Sequence, residues 1–276
     1  ILICDLASEH LQYLSSKNKV TTDEFQERFR KILRARSALG AKEEEYQVPP
    51  PASPDQGHLS NRLGVGVGVH RGRLFEEVAI RPAYHDLLDN GRGYVEGAQI
   101  IFGEAAFRHY PSDRKFVFQK LDFIDIVSLA PRDTFFQPVS WKVKTGLLHK
   151  TGNDGQDHLV YELNPGGGFS YALNRRNLVY VMGEADFNTG GGIEERYAMG
   201  VGASAGLLGS LTDFWNVHLY AREMYYGIGG EHNELEAGLH QNFTLSRNTA
   251  IRAELTVRRA YDFTRVSAGL YWNLFF

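Results

Sequence analysis

Apolar residues recur along this chain with two different periods. Ile1, Leu2, Leu6, Leu11 and Leu14 return at the spacing of one helical face, and Phe25, Phe29, Ile32 and Leu33 do so again. Between the two sets, Thr21-Thr22-Asp23-Glu24 carries a capping-box pattern, and Gly40 stands where a helix would stop. The pattern predicts a helical hairpin over residues 1–40. Residues 41–59, with Lys42-Glu43-Glu44-Glu45, Pro49-Pro50-Pro51 and Pro54, read as an extended linker.

Beyond Ser60 the period becomes two. In Leu63-Gly64-Val65-Gly66-Val67-Gly68-Val69 every second residue is aliphatic and the intervening ones are glycine, the signature of a strand with one greasy and one bare face. The carboxy half repeats the alternation: Trp215, Val217, Leu219 and Ala221 against polar neighbours, then Leu235, Ala237 and Leu239, then Ile251, Ala253, Leu255 and Val257. Twelve such segments are expected, at 62–70, 73–84, 95–109, 114–130, 138–149, 157–172, 177–187, 195–208, 212–224, 232–245, 248–259 and 263–276. Most match the roughly 9–11 residues with which a tilted strand crosses a bilayer. In the fourth, Leu121-Asp122-Phe123-Ile124-Asp125-Ile126 changes parity, as a bulge would. Tight connections at Asn174–Arg176 and Ser246–Asn248 against longer ones at Lys150–Gln156 and Asn188–Ile193 suggest that one rim carries the longer loops.

Alternation alone does not say which face is inside. A soluble barrel or sandwich would put the apolar set within, but twelve strands enclose more volume than one layer of side chains can fill. The fold expected is therefore all-β: a 12-stranded antiparallel transmembrane β-barrel over residues 60–276, preceded by a short helical hairpin. Its apolar face meets lipid, and closure leaves no unpaired edge in hydrocarbon. Lys142, Lys144, Glu162, Glu184, Asp186, Arg222, Glu236, Arg252, Glu254 and Arg265 then face the lumen. Val266, Ala268, Leu270, Trp272, Leu274 and Phe276 alternate up to a terminal aromatic, which resembles the carboxy-terminal signature read by the outer-membrane barrel-assembly machinery; Phe276, Leu274 and Trp272 are its candidate residues. With strand one running outward, Trp141, Trp215 and Trp272 fall in an aromatic girdle near the periplasmic rim, and Tyr225 and Tyr226 at the other rim. The expected location is a bacterial outer membrane.

Composition narrows the chemistry. The 276 residues carry a net charge of −3, with 30 basic against 33 acidic side chains, so nothing points to nucleic acid. A single cysteine, Cys4, forms no disulfide within the chain and builds no thiolate metal site; it reads as packing. No two histidines show metal-ligand spacing, and neither a metal nor a cofactor is expected. The chain opens at Ile1-Leu2-Ile3-Cys4 without a starting methionine, so we expect a piece of something longer.

Acidic and basic residues at similar depth predict a narrow or blocked lumen crossed by ion pairs. Ligand or lumen candidates are Arg81, His85, Asp86, Glu184, Arg222, Glu236, His240, Arg252 and Glu254. The densest cluster runs from Arg81 to Tyr94. His85 beside Asp86 could orient a general base, yet no Ser or Cys lies nearby, and a rim turn with Arg81 and Asp89 in hydrogen bonds is the favoured reading. Outer-membrane phospholipase A, also a twelve-stranded barrel, uses a His-x-Ser pair; here His240-Gln241-Asn242 lacks the serine. No catalytic residue is assigned. Glycines 64, 66, 68, 200, 202 and 206 fall on the lumen face, where they either admit a plug or ligand or relieve crowding in a curved sheet.

Ser60-Asn61-Arg62-Leu63-Gly64, Arg81-Pro82-Ala83-Tyr84-His85-Asp86-Leu87-Leu88-Asp89, Gly93-Tyr94, Gly97-Ala98-Gln99-Ile100 and Ser140-Trp141 together resemble the carboxy-terminal barrel region of Gram-negative proteins with an Lnb-like periplasmic domain, named for a lipoprotein N-acyltransferase of Bacteroides. The resemblance covers the whole chain. It implies a cysteine-dependent, acyltransferase-like periplasmic domain upstream, with the hairpin as connector. The Asn-Cys-Ser type motif of that domain is absent, and Ile3-Cys4-Asp5 does not match it. Three functions remain open: a plugged barrel that anchors or cooperates with such a domain, a channel for a small solute or lipid, and a barrel-borne lipid enzyme using His85 and Asp86.

Overall fold

A computed structural model describes residues 1–40, 50 and 52–276, and the chain divides into two compact units, Ile1–Pro50 and Pro51–Phe276. The first holds two helices, α1 (Leu2–Ser16) and α2 (Thr22–Ala38). Thr21 caps α2 by accepting the Glu24 backbone N–H, as the capping-box pattern requires. Residues 41–49 and 51 of the expected linker lie outside the described residues. The remainder does not behave as a free tether: His58 is buried, and Arg247 donates to the carbonyls of Gly57 (2.6 Å) and Asp55.

The second unit is thirteen antiparallel strands: β1 (Arg62–His70), β2 (Arg73–Arg81), β3 (Ala83–His85), β4 (Ala98–Tyr110), β5 (Lys115–Ser128), β6 (Ser140–Thr151), β7 (Asp157–Ala172), β8 (Asn177–Gly190), β9 (Tyr197–Thr212), β10 (Trp215–Gly229), β11 (His232–Ser246), β12 (Thr249–Ala260) and β13 (Phe263–Phe275). Both β2 and β3 pair with β4, separated by Pro82, which has no N–H to give the ladder. They share one stave of the wall, so the barrel is closed and twelve-stranded, with β1 pairing β13 and β2 pairing β4. The expected parity change is a register shift between Asp122 and Ile124; a second shift lies between Ala106 and Phe107.

Outward residues form an apolar belt all round the wall, including Val67, Val78, Val181, Val201, Leu219 and Leu270, each at least half exposed. Inward residues are overwhelmingly polar or glycine. Water would penalise such a belt and acyl chains accept it, while the closed ladder leaves no edge to solvate. No helix among the described residues is long and apolar enough to cross a membrane; the strands do so.

One barrel mouth carries the start of β1 and the end of β13; we call it the terminal mouth and its opposite the far mouth. The two longest connections, 86–97 and 129–139, both open on the terminal mouth, whereas far-mouth loops such as 152–156 and 191–196 are short. This corrects the loop reading. The contrast between 152–156 and 173–176 holds locally, but the rim with the greater loop mass is the one bearing the barrel's termini.

Candidate functional site

The connection from β3 to β4 turns inward. It crosses from the second stave to the wall diametrically opposite, where Leu88 joins Leu129, Leu178, Tyr180, Met182 and Leu208 in a buried cluster. Asn216, on β10, donates from Nδ2 to the carbonyls of Leu88 and Asp89, both at 3.1 Å. Asp86 starts the inturn as an Asx-type turn, accepting the backbone N–H of Leu88 (2.9 Å) and Asp89 (3.1 Å) on Oδ1.

Two carboxylates latch this segment to the wall. Asp86 accepts from Arg62 (2.8 Å), Arg81 (3.1 Å) and both terminal nitrogens of Arg252 (2.7 and 2.8 Å). Asp89 accepts from Arg81 (2.6 Å) and Arg252 (2.9 Å). Burial by itself would raise both carboxyls, but the surrounding guanidinium groups prevail: Arg252, Arg62 and Arg81 hold Asp86 well below the usual carboxylate range, and Arg81 foremost lowers Asp89. All three arginines are buried, and Arg81 has no exposed surface. A desolvated charge of this kind persists only when paired. Each comes from an inward position at the terminal end of β1, β2 or β12.

Above the inturn, charged side chains cross the lumen. Glu104 joins Arg62 (2.8 Å) and Lys120 (2.7 Å). Glu184 meets Arg222 and Lys142, each at 2.9 Å, and Asp186 meets Arg222 at 2.7 Å and the Tyr226 hydroxyl at 2.6 Å. Lys150 reaches Glu162 at 2.7 Å, and Arg258 is paired with Glu236. The lumen is thus a lattice with cavities of about 340, 260 and 340 Å³ in succession from the far mouth down to the inturn.

Lumen glycines accept aromatic rings from adjoining strands. A side chain at Gly66 would strike the Tyr271 ring (2.3 Å), at Gly200 the Tyr226 ring (2.7 Å) and at Gly206 the Tyr180 ring (2.7 Å). The glycines therefore accommodate wall aromatics, and at these positions neither the inturn nor a ligand takes the space.

Of the candidate residues, Arg81, Asp86 and Arg252 come together in the latch, while Glu184, Arg222 and Glu236 belong to the lattice above it. Glu254 lines all three cavities, and His240 lies 3.1 Å from Thr256 Oγ1. His85 does not partner Asp86: its Nδ1 sits 3.0 Å from Nε2 of His58, and its ring stacks on Tyr94. A His–Asp general base is thereby dismantled. Trp141, Trp272 and Tyr225 face outward and are nearly half exposed, and Trp215 reaches outward Gln241. Tyr226 is the exception to the girdle. It is fully buried and turned inward, because one residue along a strand reverses the face. Leu274 faces outward beside Trp272 in the same alternation, and Phe276 is half exposed past the end of β13.

His58, which lay within the expected linker, was missed from sequence. With His85 and Asp89 it brings three buried metal-capable groups within 4.8 Å of one another. His58 Nδ1 is 2.7 Å from the Leu59 carbonyl, which turns Nε2 toward His85, where it is already engaged at 3.0 Å. Asp89, in turn, is held by Arg81 and Arg252, whose charges oppose a cation at this point. The donor set is better satisfied as it stands. Arg62, Leu88 and Glu104 were also missed; only the inward parity of Arg62 in its strand hinted at its role.

No curated protein matches the chain. Among solved structures it aligns with the COG4313 outer membrane channel from Pseudomonas putida F1 at 8% identity and a TM-score of 0.46, covering 86% of this chain and 100% of that one. It aligns with the NanC porin at 9% identity and a TM-score of 0.43, covering 78% and 99%, and with the KdgM porin in complex with disordered oligogalacturonate at 8% and 0.42, covering 76% and 98%. Similarity at this level transfers neither a pore size nor a substrate. The closed wall with its lipid-facing belt makes this an outer-membrane-type β-barrel. Residues 51–275 match the family model described as a domain of unknown function, DUF7840, and the chain belongs to that family.

Proposed function

We propose that this chain is an outer-membrane barrel closed by its own inturn, serving to anchor or cooperate with a periplasmic partner domain. The observation that carries the reading is the inturn itself: Asp86–Asp89 spans the lumen, latched by three arginines on one side and packed through Leu88 on the other. A pore evolved to stand open has no use for a buried bridge of this kind. The resemblance stated above supplies the partner: an upstream, acyltransferase-like domain on the periplasmic side, which the terminal mouth would face. In this reading the barrel-assembly machinery inserts the chain through the pattern ending at Phe276.

A channel is the second reading. It is favoured by the noncovalent latch and by the charged lumen with its chain of cavities above it. Planar-bilayer recording separates the two. The closed reading expects no sustained conductance from the wild-type chain; steady, ion-selective opening would overturn it. Adding residues upstream of Ile1 from the full reading frame and assaying acyl transfer tests the partner, and a reading frame without such a domain removes it.

A further inference from the structure

The far-mouth cavity is the part of the lumen that the latch and lattice leave unexplained. Its lining holds six Lys and Arg side chains, Arg71, Arg73, Arg108, Lys115, Arg258 and Arg265, against two carboxylates, Asp157 and Glu254. The cavity beside the inturn is balanced by comparison, with seven basic and eight acidic residues. The far-mouth lining is therefore the more basic of the two, and its cations left unpaired among the described residues, Lys115 and Arg265, stand where the lumen opens. Low-dielectric walls focus such a field and raise the local concentration of anions.

Internal pairing takes up four of the six, Arg71 with Asp157, Arg73 with Asp113, Arg108 with Glu77 and Arg258 with Glu236, and leaves Lys115 and Arg265. Asp157 is already shared by Thr151 (3.0 Å), His70 (3.0 Å) and Arg71 (3.4 Å). Among the described residues neither Lys115 nor Arg265 has a carboxylate within ion-pair distance. Arg265 donates instead to the Gly155 carbonyl at 2.6 Å, and its Nε has no partner; nor does Nδ1 of His70, on the same lining. Both belong to residues of this lining and remain available to a ligand. Tyr110 and Tyr271 add aromatic walls, with the Arg73 guanidinium 4.7 Å from the centre of the Tyr110 ring.

We propose that this vestibule binds a small polyanion, bearing carboxylate or phosphate groups, that enters from the far mouth. Its volume of about 340 Å³ lies at the lower end of the roughly 300–1,000 Å³ typical of small-molecule sites. That suits a ligand the size of one or two sugars or a short phosphate chain. Because the inturn closes the other end, the vestibule captures its ligand without needing to pass it on. The site is independent of whether the inturn ever unseats.

The test is calorimetric titration of the full chain in neutral detergent with tripolyphosphate, with citrate and with uncharged maltose. Saturable binding of at least one anion and none of maltose is expected, with affinity falling as salt rises. Tripolyphosphate alone would assign a phosphate ligand, citrate alone a carboxylate one. In the K115Q/R265Q variant affinity should drop at least about tenfold, since two charge-assisted donors are lost. The single K115Q variant, at an exposed side chain that bears no structural ion pair, should show part of the loss even if the double variant folds poorly. Absence of saturable anion binding, or wild-type affinity in both variants, overturns the proposal.

Discussion

Replacing Asp86 with asparagine isolates the latch. Asn keeps an oxygen for the Leu88 and Asp89 N–H groups but loses the charge shared by Arg62, Arg81 and Arg252. Breaking a buried ion pair from one side costs about 3–5 kcal/mol. The lower end applies here, because Arg62 keeps Glu104 at 2.8 Å and Arg81 and Arg252 keep Asp89 at 2.6 and 2.9 Å. At about 1.4 kcal/mol per decade, 3 kcal/mol shifts the balance between seated and unseated inturn by roughly two powers of ten. Leu88 still holds the distal side, so the barrel itself remains folded. D86N should therefore show brief conductance steps in planar bilayers where the wild type is silent. Its heat-dependent gel shift should fall by roughly 6–12 °C if the latch contributes to the same cooperative unit. A D86N barrel as silent and as heat-resistant as the wild type would refute the view that these ion pairs hold the plug.

Four further outcomes follow from the same geometry. Acidification should leave the latch intact at pH 5: depressed carboxyls stabilise the fold above their unfolded value near ~3.9 and lose that contribution only as pH falls through the lower folded values, so conductance should appear below about pH 4. Gly202→Ala should lower the gel-shift temperature through overpacking of about 1–3 kcal/mol, since the added carbon would sit 2.0 Å from the Glu223 carbonyl. Leu270→Arg, on the lipid face in the middle of β13, should cost about 2–4 kcal/mol in a bilayer folding titration. Deleting Phe276 should reduce the folded fraction recovered from outer membranes while leaving detergent refolding unchanged, which separates recognition by the assembly machinery from stability.

The wall of this protein was legible because a strand's side chains alternate by geometry. Leu63 to Val69 and Ile251 to Val257 declare their two faces locally, and a polar face too large to bury inside a packed core must line a lumen. The same rule failed by one residue at Tyr226, where an inward tyrosine beside outward Tyr225 was read as part of the girdle. It also overestimated the freedom of the segment before β1, since His58 contributes a ring to the terminal mouth.

What alternation and charge determined was the class of fold, the lipid-facing surface and an ion-paired interior. Which ions pair was decided only in three dimensions. Asp86 meets Arg252 across 166 positions of sequence and Arg62 across 24, separations for which no spacing rule exists. Barrel closure set those partners by bringing the first strands beside the last. The inturn likewise carries no period of its own, and its path across the lumen follows from where Leu88 finds apolar company on the opposite wall. Local physics governs which way a side chain points; the partner it meets depends on the strand registers that close the ring.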